Sequence, residues 1–567
     1  MRPALRKIKR RLGLIPPPPI IAPYGSEAYP DWPAMLKTDW PRWQKAIRQA
    51  RGGPRVLIPT SIGGYLPGAT FESLLAVALT LRGAEVHILL CDQHLPACQN
   101  VLMESTTDPA AFAQAGVSRN ICRNCFNPAN YMYQNLGLPV HTYSQMITAA
   151  EAEAASKIAA AIPFDDIPAY RLDRLAVGEH AMAGALRFFA RGNFDGEPLA
   201  EPILRQYLRA ALLTLHATRR CLRDLKIKIS TFHHGIYIPQ GIVAEVSRQE
   251  GVRISVWTVA YRTGCFIGSH DDTYHHTLMT EPVEAWQDML WTPRQEEQVM
   301  QYLRSRWQGT QDWIWFHDMP QEDEAAILQE VKLDRSKPII GAATNVIWDA
   351  QLHYPANAFP NMQAWMFETI RYFARRPELQ LVIRIHPAEV RGTVPSRQRM
   401  LDEIRREFPT LPENIFIVPP ESQISTYVLM NLCNAAIIYG TKMGVELTSL
   451  GIPVIAAGEA WIRNKGLTRD AHTPQEYAQF LDELPLAHRL DTATTERARK
   501  YAYHYFFRRM IPVAAIHPAT GTSPYRVSVD ELKSLGPGCD QGLDILCRGI
   551  LTGSSFIYPA ERQEIEH

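Results

Sequence analysis

The chain has 567 residues, of which 46% are hydrophobic and 21% are charged, and its formal net charge at pH 7 is +1. A chain of this length exceeds what one hydrophobic core serves, so we expect two or three domains. The near-neutral charge argues against DNA or RNA as a partner, because a nucleic-acid-binding face is strongly basic. No apolar run approaches the about eighteen residues of a membrane span, and the N-terminus lacks the apolar core of a signal peptide, so we expect a cytoplasmic protein.

The N-terminal tip is basic. Residues 2–11 contain six basic side chains and no acid, and the prolines Pro16 to Pro19 follow them. Such a segment is either a frayed, solvated tail or a short helix that contacts an anionic inner membrane peripherally. The basic residues are Arg2, Arg6, Lys7, Lys9, Arg10 and Arg11.

A βαβ pattern begins near residue 54. The apolar run Pro54 to Thr60 predicts a strand, and the Gly-rich segment Ser61 to Gly68 predicts a loop. An amphipathic helix over Thr70 to Arg82 and a second strand over Ala84 to Cys91 complete the pattern. This opening indicates an α/β lobe with parallel strands.

Four of the nine cysteines fall in one window: Cys91, Cys98, Cys122 and Cys125. Two thiols separated by two residues can bind one tetrahedral metal ion, and a second pair can complete the coordination. Zinc with a structural role is the default interpretation, and His94 could replace one sulfur. An iron–sulfur cluster, a redox-active pair or four free thiols remain alternatives.

A mostly helical stretch follows over residues 145–225, and strands resume at Lys226 to Phe232 and at Arg253 to Val259. A turn that contains His233 and His234 lies between these two strands. Histidine titrates near neutral pH, so either residue is a candidate general base, although a buried structural histidine is an equal alternative for each.

A turn with two aspartates provides another candidate for the general base. Asp271 and Asp272 lie in a His- and Asp-rich segment after the second of these strands. A carboxylate also accepts protons in general base catalysis, so Asp271 or Asp272 is a rival to the histidines.

The α/β pattern returns after a charged, helical segment at residues 285–335. Strands are predicted at Pro338 to Ala342, at Leu381 to Ile385 and at Asn414 to Val418, and a fourth at Ala435 to Ile438. Strands that alternate with helices form a parallel sheet whose carboxyl ends gather at one edge. We therefore place a domain boundary near 330–337 and expect a site at that edge.

The candidate residues at that edge are His386, Thr441, Lys442 and Glu446. The last strand breaks at Gly440 into a helix that carries Glu446. Free N–H groups at a helix start attract anions, and a nearby carboxylate can chelate ribose hydroxyls. The pattern predicts a nucleotide site, with an ordinary strand-to-helix turn as the alternative.

Four segments within residues 380–470 resemble one known family. They are Arg384 to Pro387, Pro419 to Ser425, the Tyr439 to Thr441 turn with Glu446, and Gly458 to Gly466. Their order and spacing are similar to the bacterial capsule polysaccharide synthesis glycosyltransferases of GT-B fold, which include sialyl- and Kdo-transferring enzymes. The first half of the chain matches that family only loosely.

The resemblance implies an α/β fold of two Rossmann-like lobes that face a cleft, with a helical insertion in the first lobe. The implied organisation is an N-terminal extension at 1–53, an acceptor-side lobe at 54–336, a nucleotide-sugar lobe at 337–490, and a helical tail at 491–567 that crosses back. The implied activity is transfer of a sugar from a nucleotide sugar to a glycan or glycolipid acceptor in bacterial surface polysaccharide synthesis, without a catalytic metal.

The resemblance also implies roles for individual residues. His386, in the His386-Pro387 pair, would contact the donor phosphate, and Ser422, Ser425 and Thr441 would contact phosphate and base. Lys442 stands where relatives more often carry a small hydroxyl residue.

A further expectation concerns the basic pair Arg463 and Lys465, which would form a mobile loop over the donor or an ordinary solvated surface. Two other functions remain open: a sugar-nucleotide 2-epimerase, which shares this architecture, and a non-catalytic scaffold of a polysaccharide assembly complex.

Overall fold

The computed structural model describes residues 22–313, 319–350 and 356–562. The basic segment 2–11, for which we predicted membrane contact, lies outside the described residues. The described chain divides into two compact units. Unit 1 contains residues 22–188, 194–274 and 509–558, and unit 2 contains residues 189–193, 275–508 and 559–562.

The strands are numbered in chain order. They are β1 (Arg55–Ser61), β2 (Glu85–Leu90), β3 (Val140–Thr142), β4 (Ile229–His233), β5 (Arg253–Val259), β6 (Cys265–His270), β7 (Ile339–Ala343), β8 (Gln380–Arg384), β9 (Ile415–Val418), β10 (Ala435–Ile438), β11 (Val454–Ala456), β12 (Arg469–Asp470), β13 (Ile511–Pro512), β14 (Ile516–Pro518) and β15 (Tyr525–Val527).

The α-helices are numbered in the same way. Those before residue 275 begin the series: α1 (Trp32–Met35), α2 (Trp40–Ala50), α3 (Leu66–Leu81), α4 (Pro109–Ala115), α5 (Arg119–Leu136), α6 (Tyr143–Met146), α7 (Ala149–Ala161), α8 (Val177–Phe189), α9 (Ala200–Asp224), α10 (Gln240–Gln249) and α11 (Tyr274–Thr280). The remaining helices are α12 (Glu284–Gln287), α13 (Pro293–Gln308), α14 (Glu324–Val331), α15 (Met362–Phe373), α16 (Ala388–Arg391), α17 (Met400–Glu407), α18 (Thr426–Asn431), α19 (Met443–Ser449), α20 (Pro474–Asp482), α21 (Thr492–Tyr503) and α22 (Gln541–Thr552).

Unit 1 is built on a seven-stranded sheet in the order β13-β6-β5-β4-β1-β2-β3. Strands β3, β2, β1, β4 and β5 are parallel, while β6 pairs antiparallel with β5 and β13 pairs antiparallel with β6 at one edge. The parallel part has the doubly wound order 3-2-1-4-5, and its direction of winding reverses between β1 and β4. The predicted βαβ opening and the helical stretch that includes α7, α8 and α9 are both present.

Unit 2 is built on a six-stranded parallel sheet in the order β12-β11-β10-β7-β8-β9. Counted from β7, this is the doubly wound order 3-2-1-4-5-6, and the winding reverses between β7 and β10. The predicted α/β fold with two Rossmann-like lobes is confirmed in each unit.

The two sheets are held by ordinary apolar burial. In unit 1, helix α3 is apolar on nearly all sides, and most of its residues are buried, as expected of a helix enclosed by other elements. In unit 2, Trp365 and Tyr477 belong to one buried cluster, and the Trp365 Nε1–H group donates to the Tyr477 hydroxyl at 3.1 Å. This pairing satisfies the polar ends of two large aromatic side chains inside the core.

The units divide the chain at different places from those predicted. Residues 275–336, which we predicted to belong to the first lobe, group with unit 2. Long-range pairs explain this difference: His504 lies 3.0 Å from a Glu281 carboxylate oxygen, and Arg508 donates to the Ala285 carbonyl at 3.2 Å. A linear reading of composition does not reveal such contacts. Residues 509–558 belong to the tail that we predicted to cross back to the first lobe, and they group with unit 1.

Among the residues that the structure describes, none of the helices combines the length and apolarity that a membrane span requires.

Candidate functional site

In unit 2, the ends of three parallel strands meet where the winding of the sheet reverses. After β7, the Asn345 side-chain amide donates to the Gly440 carbonyl of the turn after β10, at 2.8 Å. The backbone N–H of His386, after β8, donates to Thr344 Oγ1 at 3.0 Å. Ligands of doubly wound sheets bind at such a reversal point, outside the carboxyl ends of the strands.

His386 is half-buried at this edge, and its ring has a defined hydrogen-bonding role. Its Nδ1 accepts the backbone N–H of Ala388 at 3.1 Å, at the start of α16. A neutral imidazole that accepts at Nδ1 carries its proton on Nε2. Pro387 forms the N-cap of α16 and so fixes the turn that follows the strand. The predicted phosphate contact would therefore use Nε2–H as its donor.

A buried arginine holds the loop after β9 through hydrogen bonds. Arg384 donates to the Ser422 carbonyl at 3.2 Å and to Thr426 Oγ1 at 3.1 Å, and burial lowers the Arg384 pKa to about 10. Ser425 is buried and caps α18 through the Val428 N–H at 3.4 Å. Ser425 is thus committed to the fold, whereas Ser422 is half-exposed, although its hydroxyl accepts the Ile424 N–H at 3.2 Å.

In the turn after β10, one backbone amide is already hydrogen-bonded within the turn. Thr441 Oγ1 accepts the backbone N–H of Met443 at 3.3 Å, and this N–H is one of the amides predicted to bind phosphate. Helix α19 contains seven residues, and Lys442 is its N-cap without a side-chain cap hydrogen bond. Gly440 follows the strand directly, and a Cβ there would lie 3.3 Å from the Glu459 carbonyl, so this position favours glycine.

We predicted that Glu446 would contact a ligand, but its carboxylate is buried and already paired. Its Oε1 accepts from Lys442 Nζ at 2.9 Å and from Arg306 Nε at 3.2 Å, and the residue is 2% exposed. Arg306 also forms an ion pair with Asp312 and donates a hydrogen bond to the Tyr302 hydroxyl at 2.9 Å. Glu446 is therefore the centre of a buried ionic network, and a ribose contact would require that network to open.

The protonation of this network follows from its pairing. Burial by itself would raise the Glu446 pKa, but Lys442 and Arg306 outweigh burial and lower it. Burial, together with the positive charge of Arg306, lowers the pKa of Lys442. Because one carboxylate serves two cations, its removal would leave both cations buried without their shared partner.

Arg463 and Lys465 contradict the expectation of a mobile or solvated basic loop. Both are 0% exposed. Arg463 donates to the Gly458 and Ala471 carbonyls at 3.1 and 2.9 Å, and Lys465 Nζ donates to the carbonyls of Met279 and Glu281. Both cationic groups donate their hydrogen bonds to backbone carbonyl oxygens, so these residues hold the segment after β11 in place.

Glu459 is a buried carboxylate that the sequence reading did not single out. It follows β11, its Oε1 accepts the Ala356 N–H at 2.8 Å, and its Oε2 lies 3.2 Å from His276 Nε2. His276 comes from a distant part of the chain, so no local pattern predicts the pair.

In unit 1, the corresponding reversal point lies between β1 and β4, and His233 ends β4 there. Burial, followed by the charges of His234 and Arg187, lowers the His233 pKa well below its usual value. Its ring lies 4.9 Å from that of Tyr65 and 4.8 Å from that of Trp257. His233 is therefore a neutral imidazole in an aromatic environment.

The neighbouring His234 has a different environment. It is half-buried, has a left-handed backbone at φ 65°, and stacks on Tyr237 with ring centroids 5.4 Å apart. Gly235 also has positive φ, so two consecutive left-handed residues turn the chain sharply after β4. The structure thus brings both predicted histidines to the carboxyl end of the sheet.

Glu72 is the main residue at this point that sequence reasoning missed. It accepts from Trp257 Nε1 at 3.2 Å and is 2% exposed. Burial raises its pKa to about 7, while hydrogen bonds from Thr60, Trp257 and the His233 backbone oppose that rise. The available signal was simple: Glu72 is the one ionisable residue of the otherwise apolar helix α3.

The predicted rival base Asp271 lies elsewhere. Because β6 runs antiparallel to β5, the backbone N–H of Asp271 donates to Ile254 near the start of β5, whereas that of His234 donates to Trp257 near its end. Asp271 is exposed, and Asp272 is partly buried, with its Oδ1 accepting the Thr273 N–H at 2.7 Å. The structure therefore does not bring Asp271 together with the histidines.

The four cysteines of the window are free thiols that are partly buried. Cys125 Sγ accepts the backbone N–H of Gly64 at 3.0 Å. In the part of the chain that the structure describes, no three His, Cys, Asp or Glu side chains are arranged to hold one metal ion. The predicted zinc site at Cys91, Cys98, Cys122 and Cys125 is therefore not supported.

A cavity of about 570 Å³ in unit 2 lies away from these residues. Its lining includes Gly451, which precedes β11, so it opens near the amino ends of the strands. Two of its arginines are already engaged: Arg499 with Glu296, and Arg489 with the Asn431 carbonyl at 2.6 Å. This position and pairing separate the cavity from the candidate site.

Comparison with known proteins gives one family. Residues 304–494 match the family model described as "Capsule polysaccharide biosynthesis protein". This segment contains His386, Ser422, Thr441 and the Glu446 network. No curated protein matches the chain at a significant level.

Solved structures resemble the chain more remotely. The KpsC beta Kdo 2,4 transferase of Thermosulfurimonas dismutans is 13% identical, with 48% of this chain and 79% of that chain covered and a TM-score of 0.33. The KpsC beta Kdo 2,7 transferase of the same organism is 12% identical, with coverages of 56% and 86% and a TM-score of 0.30. The UDP-GlcNAc 2-epimerase of Neisseria meningitidis is 9% identical, with coverages of 79% and 95% and a TM-score of 0.23.

Scores this low do not establish a common arrangement of the whole chain, so the family match and the two sheets carry the comparison. The resemblance inferred from residues 380–470 is confirmed, because residues 304–494 match the family of capsule polysaccharide biosynthesis proteins.

Proposed function

We propose that the chain is a glycosyltransferase of capsule polysaccharide synthesis, which transfers a sugar from a nucleotide sugar to a glycan or glycolipid acceptor. The observation that carries this proposal is the family match over residues 304–494, which coincides with a doubly wound sheet and its reversal point. Doubly wound sheets with this strand order bind nucleotides at such an edge.

The donor nucleotide is assigned to unit 2. His386 presents an Nε2 donor, Ser422 is half-exposed, and Gly440 and Thr441 bring backbone close to the reversal point. Donors fixed in advance stabilise the negative charge that develops on a departing phosphate. Ser425, Lys442 and Glu446 support these residues from within the fold rather than contacting the nucleotide.

The acceptor hydroxyl is assigned to the reversal point of unit 1, with His233 as the base. Burial lowers the pKa of its imidazole, so the ring is neutral and has a nitrogen lone pair that can accept a proton. Glu72 accepts a hydrogen bond from the His233 backbone and has a pKa of about 7, near physiological pH. A carboxylate at this position would stabilise the imidazolium that forms, so we assign Glu72 a positioning role.

The bond between the anomeric carbon and the donor phosphate breaks, and its electron pair leaves with the nucleotide. A bond forms between the anomeric carbon and the acceptor oxygen, and the acceptor's proton moves to His233 Nε2 or Nδ1. Proton removal of this kind contributes about 100-fold to 10,000-fold to a rate.

A panel of nucleotide sugars tests the proposal. Thermal unfolding of the full chain would be measured with CMP-, UDP-, GDP- and dTDP-sugars, and product formation would then be followed with and without a glycan acceptor. We expect one nucleotide class to stabilise the chain, because binding to the native state raises its melting temperature. Nucleotide release should require the acceptor.

Two outcomes would contradict the proposal. Isomerisation of the sugar nucleotide without any acceptor would identify an epimerase. A chain that binds none of the nucleotide sugars would fit a non-catalytic scaffold.

A further inference from the structure

The two residues that follow β7 lie between the ends of both neighbouring strands. In the sheet of unit 2, β7 has β10 on one side and β8 on the other. Thr344 Oγ1 accepts the backbone N–H of His386 after β8, and Asn345 Nδ2 donates to the Gly440 carbonyl after β10. Asn345 therefore spans the two strands between which the winding of the sheet reverses.

The hydrogen bond to Gly440 fixes the orientation of the Asn345 amide. A carbonyl oxygen only accepts, so the NH₂ group of Asn345 must face Gly440, and the side-chain oxygen Oδ1 faces away from it. The side chain is half-buried, and among the described residues no group donates a hydrogen bond to Oδ1. Asn345 thus presents an acceptor at the reversal point that the described part of the fold does not use.

Two carboxylates lie near the same edge, and both are engaged. Glu446 is shared by Lys442 and Arg306. Glu459, which follows β11, pairs with His276 at 3.2 Å. The hydroxyl contact that the sequence predicted for Glu446 therefore requires a different acceptor.

The chemistry of a nucleotide sugar limits what Oδ1 can bind. A phosphate ionised at neutral pH offers acceptors, and two acceptors that face each other without a hydrogen between them repel. A hydroxyl always has a hydrogen to donate. The hydroxyls of the ribose and of the transferred sugar are attached close to the phosphates, and Asn345 is hydrogen-bonded to the turn that we assign to phosphate. A hydroxyl is therefore the group that fits Oδ1.

We propose that Asn345 Oδ1 accepts a hydrogen bond from a hydroxyl of the donor nucleotide sugar, on the ribose or on the transferred sugar, and so selects donors that carry this hydroxyl. This inference rests on the proposed function, because it takes the nucleotide sugar to bind at the reversal point of unit 2. His386 would donate to the phosphate, and Asn345 would accept from the hydroxyl. A ligand without that hydroxyl would cover Oδ1 and leave it without a partner, which weakens binding.

Calorimetry on the full chain tests the inference with ligands that differ by one hydroxyl. The probes are CMP, UDP and GDP, the 2′-deoxy and 3′-deoxy form of each, and CMP-, UDP- and GDP-sugars. We expect Asn345→Ala to weaken binding about 3- to 10-fold more for probes that carry the recognised hydroxyl than for those that lack it. Selectivity among the free nucleotides identifies a ribose hydroxyl, and selectivity confined to the nucleotide sugars identifies the transferred sugar.

A matched control removes an asparagine from the other end of the same two strands. Asn434 precedes β10, and its Oδ1 accepts the backbone N–H of Ile339 at the start of β7 at 2.8 Å. Asn434→Ala should therefore change the affinity for all probes equally. Asn345→Asp keeps an acceptor at the proposed position, so it should retain the preference for the hydroxyl even if the added charge weakens phosphate binding overall.

The outcomes separate this inference from the proposed function. Equal changes for every probe in folded Asn345→Ala would overturn the inference alone, because nucleotides would still bind. If circular dichroism shows that Asn345→Ala does not fold, Asn345→Asp decides: a retained preference for the hydroxyl supports the inference, and a lost preference overturns it. A wild-type chain that binds none of the probes would overturn the proposed function and, with it, the inference.

Discussion

The reversal points of the two sheets have the same topology but opposite electrostatics. In unit 2, the buried carboxylate of Glu446 is shared by Lys442 and Arg306, and its pKa is lowered. In unit 1, the buried carboxylate of Glu72 meets only neutral donors such as Trp257, and its pKa rises to about 7.

The difference shows that strand order fixes where a polar group lies and that its partners fix what it can do. A carboxylate paired with two cations remains charged and holds its surroundings in place. A carboxylate among neutral donors can exchange a proton near physiological pH. The donor side is therefore expected to be electrostatically rigid and the acceptor side to be titratable.

The largest expected effect comes from breaking the paired carboxylate. Glu446→Ala should lower the free energy of unfolding by about 3–5 kcal/mol, because Lys442 and Arg306 would stay buried without their shared partner. Denaturant unfolding measures the loss. The control Glu421→Ala removes an exposed carboxylate that pairs with Arg399, and should cost no more than about 1 kcal/mol. Equal midpoints for the two variants would show that the network contributes little.

The unpaired carboxylate should make stability depend on pH. The pKa of Glu72 in the folded chain is about 7, above its usual value of 4.5, so its contribution to stability is fully favourable below about pH 4.5 and is lost as pH rises through about 7. Glu72→Gln should therefore gain stability relative to wild type over that interval, by up to about 3 kcal/mol. Melting temperatures across the interval measure the gain. A constant difference at every pH would refute the assignment of the raised pKa.

The proposed base makes a kinetic prediction. His233→Ala should lower kcat by about a hundredfold or more, with little change in nucleotide affinity, because only proton transfer is lost. His234→Ala tests the neighbour, and the exposed His517→Ala is the control. If His234→Ala lowers kcat and His233→Ala does not, the base is His234. If neither variant changes kcat, the base lies outside this turn.

The smallest expected effect concerns the donor side. His386→Ala should weaken nucleotide binding by about 1–3 kcal/mol, the range for losing a hydrogen bond to a charged group, without unfolding the chain. Calorimetry with the stabilising nucleotide measures this, and the exposed His488→Ala is the control. Unchanged affinity in His386→Ala would place the phosphate elsewhere.

Much of the framework followed from the sequence. The strands at β5 and β10 have the predicted bounds, and His386, Thr441 and the histidine turn all lie at carboxyl ends of parallel strands. Local apolar runs and their Gly and Pro boundaries suffice for this, because strand periodicity and turn chemistry act over a few residues. The family resemblance depended on the same short segments.

The sequence did not predict the roles of several charged residues. The sequence suggests that Arg463 and Lys465 are surface charges. In the structure both are buried and donate hydrogen bonds to backbone carbonyls. Asp271 has suitable chemistry, but the antiparallel direction of β6 carries it away from His233. A local sequence pattern does not predict whether a charged side chain is buried or in which direction an edge strand runs.

The sequence by itself determined the alternation of strands and helices, the polar residues that follow several strands and the family resemblance of residues 380–470, which the match over residues 304–494 confirms. The strand orders of the two sheets came from the structure. The tertiary structure alone decided which of those residues are charged, neutral or engaged. Arg306 reaches Glu446 across 140 residues and Trp257 reaches Glu72 across 185. A side chain's pKa and freedom depend on the groups that surround it in space, and those groups come from distant parts of the chain.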